Sequence, residues 1–222
     1  MASHPDDEIL GCGGTIAKHS DQGDTVHVLI VAEGATSRSN HSSNDELDEE
    51  LAELKLSAEK ASSILGVQSL QMLGLPDNRL DSIDRLDVVK KIEKYISLYS
   101  PSTVYLHHSG DVNIDHRITH EAVITACRPF PGQSVKKLLS FEVQSSTEWQ
   151  PPNSASQFSP NWYVDINNQL SRKIEALNCY SGEMRDWPHS RSVKASEFLA
   201  KVRGSQVGVP AAECFCLLRN IL

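Results

Sequence analysis

The residues best suited to chemistry stand in a single run near the start, His4-Pro5-Asp6-Asp7-Glu8. It sets an imidazole and three carboxylates within five positions, and Gly11-Cys12-Gly13-Gly14 follows shortly after. A histidine and an aspartate three positions apart, His4 and Asp7, suit a borderline-soft cation such as zinc. Asp6 cannot easily reach the same ion when Asp7 does, because adjacent side chains diverge, so it is left free to take a proton from water. A third ligand is needed, and Asp111-Val-Asn-Ile-Asp115-His116, far along the chain, offers candidates. The two segments together read as a metal-dependent hydrolase. The opposing reading is a polar loop that caps a helix beginning near Gly11, since acidic residues favour helix N-termini. The second cluster weighs against it.

Such a site has to be held by a scaffold, and hydrophobic runs alternate with helical patterns along the chain. That alternation favours an α/β fold with a mainly parallel sheet. Strands are expected at residues 25–31, 67–73 and 103–107, with later ones at 138–143, 162–166 and 212–218. Helices are expected at 45–65, stopped by Gly66, at 82–98, stopped by Pro101, and at 118–127, 168–180 and 192–202. A catalytic loop in a parallel sheet follows the carboxyl end of a strand. Only Met1-Ala2-Ser3 precede His4, so the first strand is expected to be truncated.

The length of 222 residues suits one domain, 1–222. A net charge of −8 without a Lys/Arg cluster argues against sequence-independent binding to nucleic acid or an anionic membrane. No apolar run approaches the ~20 residues of a membrane span. No signal peptide is expected, and the five scattered cysteines read as reduced thiols in a cytoplasm. Cys214 and Cys216 share a face of one expected strand, where buried cysteines are more ordinary than a second metal site.

Ser3-His-Pro-Asp-Asp-Glu8 with Ile-Leu-Gly-Cys-Gly-Gly-Thr15 resembles the opening motif of the LmbE-like, or PIG-L, zinc-dependent N-deacetylases. Leu65-Gly66-Val67, Leu75-Pro76-Asp77-Asn78 and Asp115-His116 follow in that family's order and approximate spacing, and Ser181-Gly-Glu183 and Ala212-Glu213 fit one branch of it. The resemblance implies a Rossmann-like three-layer sandwich whose more variable part, residues 130–222, shapes the substrate pocket. It implies His4, Asp7 and His116 as ligands of Zn2+ (or another divalent transition metal), with Asp6 as the general base. Three protein ligands leave an open position, as hydrolytic zinc requires. The implied reaction removes acetyl from an N-acetylated sugar, a small N-acetylglucosamine-type molecule or a glycoconjugate, releasing acetate and a free amine. Association into a homo-oligomer, a trimer or hexamer, is also implied.

The second motif departs from the family pattern. Many relatives carry a histidine where Asn113 stands, paired with the counterpart of Asp115 to stabilise the oxyanion. An amide donates a hydrogen bond but does not titrate, so protonation of the leaving amine needs another group. His189 in Arg185-Asp-Trp-Pro-His-Ser-Arg191 is the first candidate, His108 the second, and protonated Asp6 the third. His107 and His108 point oppositely on a strand, so at most one faces a site. Asp77 is a candidate for a sugar hydroxyl, and Arg38 and Lys55 for an anionic group. Glu8 is expected to brace its loop, Glu213 to tie the last strand to the core, and Trp149, Trp162 and Trp187 to pack or to stack on a sugar face. Two other functions compete with the deacetylase. One is a catalytically impaired metal-binding relative, suggested by Asn113 and the short amino terminus. The other is a nucleotide-binding module built on the glycine run, which lacks G-x-G-x-x-G spacing and sits beside carboxylates that repel phosphate.

Overall fold

The computed structural model describes residues 1–37 and 44–222. Helix α1 (Asp7–Asp21) leads to strand β1 (His27–Ala32), α2 (Asn44–Leu65), β2 (Ser69–Leu75), α3 (Arg85–Tyr99), β3 (Thr103–His107) and α4 (Ile114–Ala126). After these come β4 (Lys137–Phe141), β5 (Trp162–Asp165), α5 (Leu170–Asn178), α6 (Val193–Ser205) and β6 (Ala212–Asn220). The alternation of strands and helices expected from the hydrophobic pattern is present.

Among the described residues the strands form two sheets, β1-β2 and β3-β4-β6-β5. The β1/β2 and β3/β4 pairs are parallel, as expected. The larger sheet is mixed, because β6 runs antiparallel to both β4 and β5. Its final strand returns from α6 through a short turn instead of a crossover, which the hydrophobic pattern does not encode. Residues 1–3 form no strand. Ala2 makes an isolated parallel bridge to Ile30, with its amide donating to Leu29 O and its carbonyl accepting from Val31 N.

Alternation along the strands divides the core. Val28 and Ile30 of β1 and Leu139 and Phe141 of β4 pack with α1, α2 and α5. Leu29 and Val31 of β1, Val104 and Leu106 of β3, and Leu138 of β4 pack with α3 and α4 on the opposite side. One face therefore buries period-two side chains against one set of helices and the other face against a second set.

Helix α1 begins at Asp7, earlier than the start near Gly11 suggested by the glycine run, and is kinked at Cys12. The glycines answer a packing need. A Cβ on Gly11 would stand 2.3 Å from Phe141, and one on Gly14 would stand 2.6 Å from Ile166. Their absence lets α1 lie directly on the sheet. Beyond the kink, the Gly14 and Thr15 amides donate to the Glu213 carboxylate at 2.9 and 2.6 Å. Glu213 also pairs with buried Lys173 at 2.6 Å, so it ties β6 to α1 and α5 as expected. Amides that a phosphate would use are already bonded to a carboxylate, which removes the support for the nucleotide-binding alternative.

Candidate active site

The His4–Glu8 segment turns sharply where the chain leaves β1's neighbour position and enters α1. Asp6 occupies the left-handed region, φ 96°, as the residue preceding the helix. A non-glycine residue there is uncommon and costly, and such strain concentrates at functional sites. The conformation places Asp6 and Asp7 on diverging paths, both fully buried. Glu8 accepts from the Asp6 amide at 3.1 Å and from Tyr180 Oη at 2.6 Å, bracing the turn as expected.

The second motif reaches the same point from the amino end of α4. Asn113 caps this helix, its Oδ1 accepting from Asp115 N at 2.8 Å and from His116 N at 3.4 Å. That cap starts α4 at Ile114, four residues before the expected start at 118. It also puts Asp115 and His116 in the first turn, facing inward and buried.

His4, Asp7 and His116 then converge. Asp7 Oδ2 lies 3.1 Å from His4 Nδ1 and 3.1 Å from His116 Nε2, and the two nitrogens are 3.3 Å apart. These separations resemble the edges of a tetrahedron with bonds of about 2.0–2.1 Å. The outer ring nitrogens are held by carboxylates. His4 Nε2 is 3.1 Å from both Asp77 and Asp115, and His116 Nδ1 is 3.1 Å from Asp111. Carboxylates behind metal-ligating histidines fix the tautomer and aim the inner nitrogen. Among the described residues, buried Asp6 Oδ1 and Asp7 Oδ1 meet no hydrogen-bond partner. Two imidazoles and a carboxylate crowded together, beside carboxyl oxygens that take no hydrogen bond from the described residues, fit a divalent cation better than they fit one another. His4, Asp77 and Asp115 form an overlapping second group of three potential donors.

Electrostatics agree. Burial alone would lower both histidines, but Asp115, Asp7 and Asp77 raise His4, and Asp7 and Asp111 raise His116. Burial would raise Asp111, yet His116 and the hydroxyls of Ser146 and Thr147 hold its carboxyl low. Burial raises Asp6 well above the carboxylate range, opposed chiefly by Arg191.

Other expected residues are placed as follows. Asp115 accepts from the Asn78 and Leu80 amides at 2.7 and 3.0 Å as well as facing His4, so it fastens the 77–80 turn to the site. Asp77 reaches His4 and accepts from Ser37 Oγ. Asn113 Nδ2 donates to Asn78 Oδ1 at 2.9 Å. His189 is exposed, its Nδ1 accepting from Arg191 N at 3.0 Å and its ring edge-on to exposed Trp149. Of the adjacent histidines, His107 is the one at the site. Its ring stacks on His116 at 3.9 Å between centroids, and its Nε2 accepts from Ser3 N at 2.8 Å. His108 turns away to Ser156 O at 2.8 Å. Lys55 is exposed beside Glu59. Arg38 lies outside the described residues.

Three participants were not foreseen as such. Arg191 donates to Asp6 Oδ2 at 2.7 Å and to Ser145 Oγ at 2.9 Å, and its second nitrogen lies 3.7 Å from Asp7 Oδ1. It stands two residues from His189 in a loop already singled out, but only the tertiary fold brings it to Asp6. Asp111, with Ser146 and Thr147 (2.6 Å) behind it, is the second, and His107 the third.

Buried imidazoles and carboxylates gather where the β1 and β3 ends meet the helix amino ends, a candidate active centre on an α/β scaffold. The chain belongs to the family described as PIG-L, GlcNAc-PI de-N-acetylase, which matches residues 1–127 and so includes both motifs. A probable N-acetyl-alpha-D-glucosaminyl L-malate deacetylase 2 from Bacillus cereus is 28% identical over 186 residues, covering 81% of this chain and 80% of that protein. An N,N'-diacetylchitobiose deacetylase from Pyrococcus horikoshii superposes with a TM-score of 0.78 at 23% identity, covering 98% of this chain and 82% of the other. GalB, a 4-carboxy-2-hydroxymuconate hydratase from Pseudomonas putida, superposes equally well, 0.78 at 19% identity, over 100% of this chain and 95% of its own. The fold therefore carries more than one reaction, and the assignment to deacetylation rests on the family.

Proposed function

We propose that this protein is a zinc-dependent hydrolase that removes acetyl from an N-acetylated, glucosamine-type sugar. The observation that carries the reading is the convergence of His4 Nδ1, Asp7 Oδ2 and His116 Nε2 within 3.1–3.3 Å, each ring backed by a carboxylate. The Bacillus relative's name, a deacetylase of an N-acetylglucosaminyl malate, supports the substrate class.

In this reading His4, Asp7 and His116 hold the ion, with Asp115, Asp77 and Asp111 fixing the rings. Bound there, zinc would supply Lewis acidity toward the amide carbonyl and toward water. Asp6 Oδ1, buried and without a hydrogen-bond partner among the described residues, takes a proton from water as the water oxygen adds to the acetyl carbon. The same proton then passes to the amine nitrogen as the C–N bond breaks, leaving acetate and a free amine. Arg191 holds the other Asp6 oxygen and so orients the carboxylate. Exposed His189, two residues from Arg191, is the alternative donor to the amine. Asn113 Nδ2 is the candidate oxyanion donor, once it exchanges Asn78 Oδ1 for substrate. Asp77 and Arg38 are the candidate sugar-binding residues, and residues 130–222, which supply Ser146, Thr147 and Arg191, shape the pocket.

The Rossmann-like, three-layer description of the fold is supported by helices packed on both sides of β1 and β4. No helix among the described residues is long and apolar enough to cross a membrane. Five free cysteines support a cytoplasmic setting for the reading.

The test is acetate release from a panel of N-acetylglucosamine derivatives by metal-stripped protein with and without added zinc. Zinc-dependent release of acetate and amine is expected. The catalytically impaired alternative, favoured by an Asn113 engaged as a helix cap, predicts stoichiometric zinc binding and no acetate from any member of the panel.

A further inference from the structure

Two segments that end on the candidate site meet again beside it, in a pair of exposed rings. Ser146 and Thr147 donate to Asp111, and Ser146 Oγ also lies 3.4 Å from His116 Nδ1. The short 3₁₀ turn Thr147–Trp149 follows at once, with Trp149 N donating to Ser146 O at 3.2 Å. At about 2.0 Å per residue, this turn carries the Trp149 backbone only about 6 Å along from Ser146. From the other segment, Arg191 donates to Asp6 Oδ2 at 2.7 Å, and its amide donates to His189 Nδ1 at 3.0 Å. The His189 ring then meets the Trp149 ring edge-on, with 5.8 Å between centroids.

The mount is cross-braced. Arg191 Nε donates to Ser145 Oγ at 2.9 Å, and the Glu148 carboxylate accepts from Ser145 N and Ser146 N at 2.7 and 3.2 Å. Thr147 N donates to Val143 O at 2.9 Å, and Val143 N donates to Thr147 Oγ1 at 2.8 Å, which fastens the turn just beyond β4. Trp149 is nevertheless 54% exposed, so its backbone is fixed while more than half of the residue stays in solvent. A tryptophan held this way next to a site is a ready anchor for a ligand. Trp187 is exposed to a similar extent, but its ring lies against Phe198 and below the Lys194 ammonium. The surroundings of Trp149 favour one kind of occupant. A sugar ring offers an apolar C–H face to stack on the indole and hydroxyls at its edge, and Ser145, Glu148 and Gln150 stand close to Trp149 in sequence. A nucleoside diphosphate would bring its phosphates toward Glu148 and Asp6, and the Arg191 guanidinium is already bonded to Asp6 and Ser145. A lipid tail needs continuous apolar surface, whereas the ring that meets Trp149 is the polar His189.

We propose that Trp149 is the platform of a second sugar subsite. The substrate is then a glycoside whose N-acetylated ring enters the site and whose neighbouring pyranose stacks on Trp149. Trp149 sets the preference for two-ring over one-ring substrates, and His189 holds the platform's edge. The identity of the first ring rests on the deacetylase reading, while the platform is tested by binding alone.

The test measures equilibrium binding to the zinc-loaded full chain by calorimetry, in an Asp6→Asn background so that no sugar is consumed. The methyl glycoside of N-acetylglucosamine is the one-ring probe, and the β-1,3- and β-1,4-linked dimers of N-acetylglucosamine are the two-ring probes. With Trp149 intact, at least one dimer is expected to bind about tenfold or more tightly than the single ring. Trp149→Ala should bring the affinities within about threefold of each other. Trp149→Phe should keep most of the preference, and Trp187→Ala should keep all of it. Equal affinities with Trp149 intact, or a preference that survives Trp149→Ala, would overturn the proposal, as would binding of none of the probes. Acetate release from the same sugars by zinc-loaded wild type is measured alongside. Its absence with the binding preference in place would defeat the deacetylase reading and leave the platform standing.

Discussion

Asp111 illustrates how a single residue governs a site it does not enter. Its carboxylate accepts from Ser146 and Thr147 and faces His116 Nδ1, so its task is to aim the opposite nitrogen. Asp111→Asn keeps the shape but removes the charge. It should weaken zinc binding by about 10- to 100-fold, measured by competition with a chelator. Unchanged affinity would mean that His116 is oriented by packing against His107 alone. Arg191 makes a different prediction. Arg191→Lys retains a positive charge but loses the planar fork that bonds Asp6 and Ser145 together, so turnover should fall while zinc affinity holds. A loss of zinc affinity of the same size would make Arg191 a support for Asp7 instead. The convergence of His4, Asp7 and His116, with Asp6 beside them, was legible because the two motifs carry metal-ligand residue types at ligand spacing. Arg191 was not legible. It is far from Asp6 in sequence, and its loop shows no periodicity that would aim it.

At the scale of elements, α1 depends on close approach to the sheet. Gly11→Ala would press a methyl into the buried Phe141 ring, and overpacking of this kind costs about 1–3 kcal/mol. Urea denaturation should show that loss, whereas Gly182→Ala, which meets nothing nearby, should sit close to wild type. The thiols report the same packing. Burial pushes Cys12 and Cys127 to about 12, while Cys179 and Cys216 are partly exposed. Alkylation of the folded protein at pH 8 should therefore modify Cys179 and Cys216 first, by mass spectrometry. Early loss of Cys12 would indicate that α1 opens readily. Most helices and strands were readable from their hydrophobic periods. The starts of α1 and α4 were not, because Asp6 and Asn113 set those ends by a backbone turn and a side-chain cap that hydrophobic spacing does not register.

Across the whole molecule, the site sits where β1 and β3 end and α1 and α4 begin, so any ion held there links segments from both motifs. Ligand binding to the folded state alone raises stability by about 2.7 kcal/mol at a hundredfold excess over Kd, on the order of 5–10 °C for a chain of this size. Zinc should give that shift in wild type and not in His116→Ala. The mixed character of the larger sheet escaped the sequence reading for a related reason, since strand direction is a property of the connection from α6 to β6 and not of either segment. In the proposed division of labour, His4, Asp7 and His116 hold the metal and Asp6 moves the proton. Bound zinc and zinc-dependent acetate release, measured side by side in wild type and Asp6→Asn, test it most directly. One zinc per chain is expected in both, with turnover in Asp6→Asn reduced by at least about a hundredfold relative to wild type. Acetate release by Asp6→Asn at the wild-type rate would contradict it.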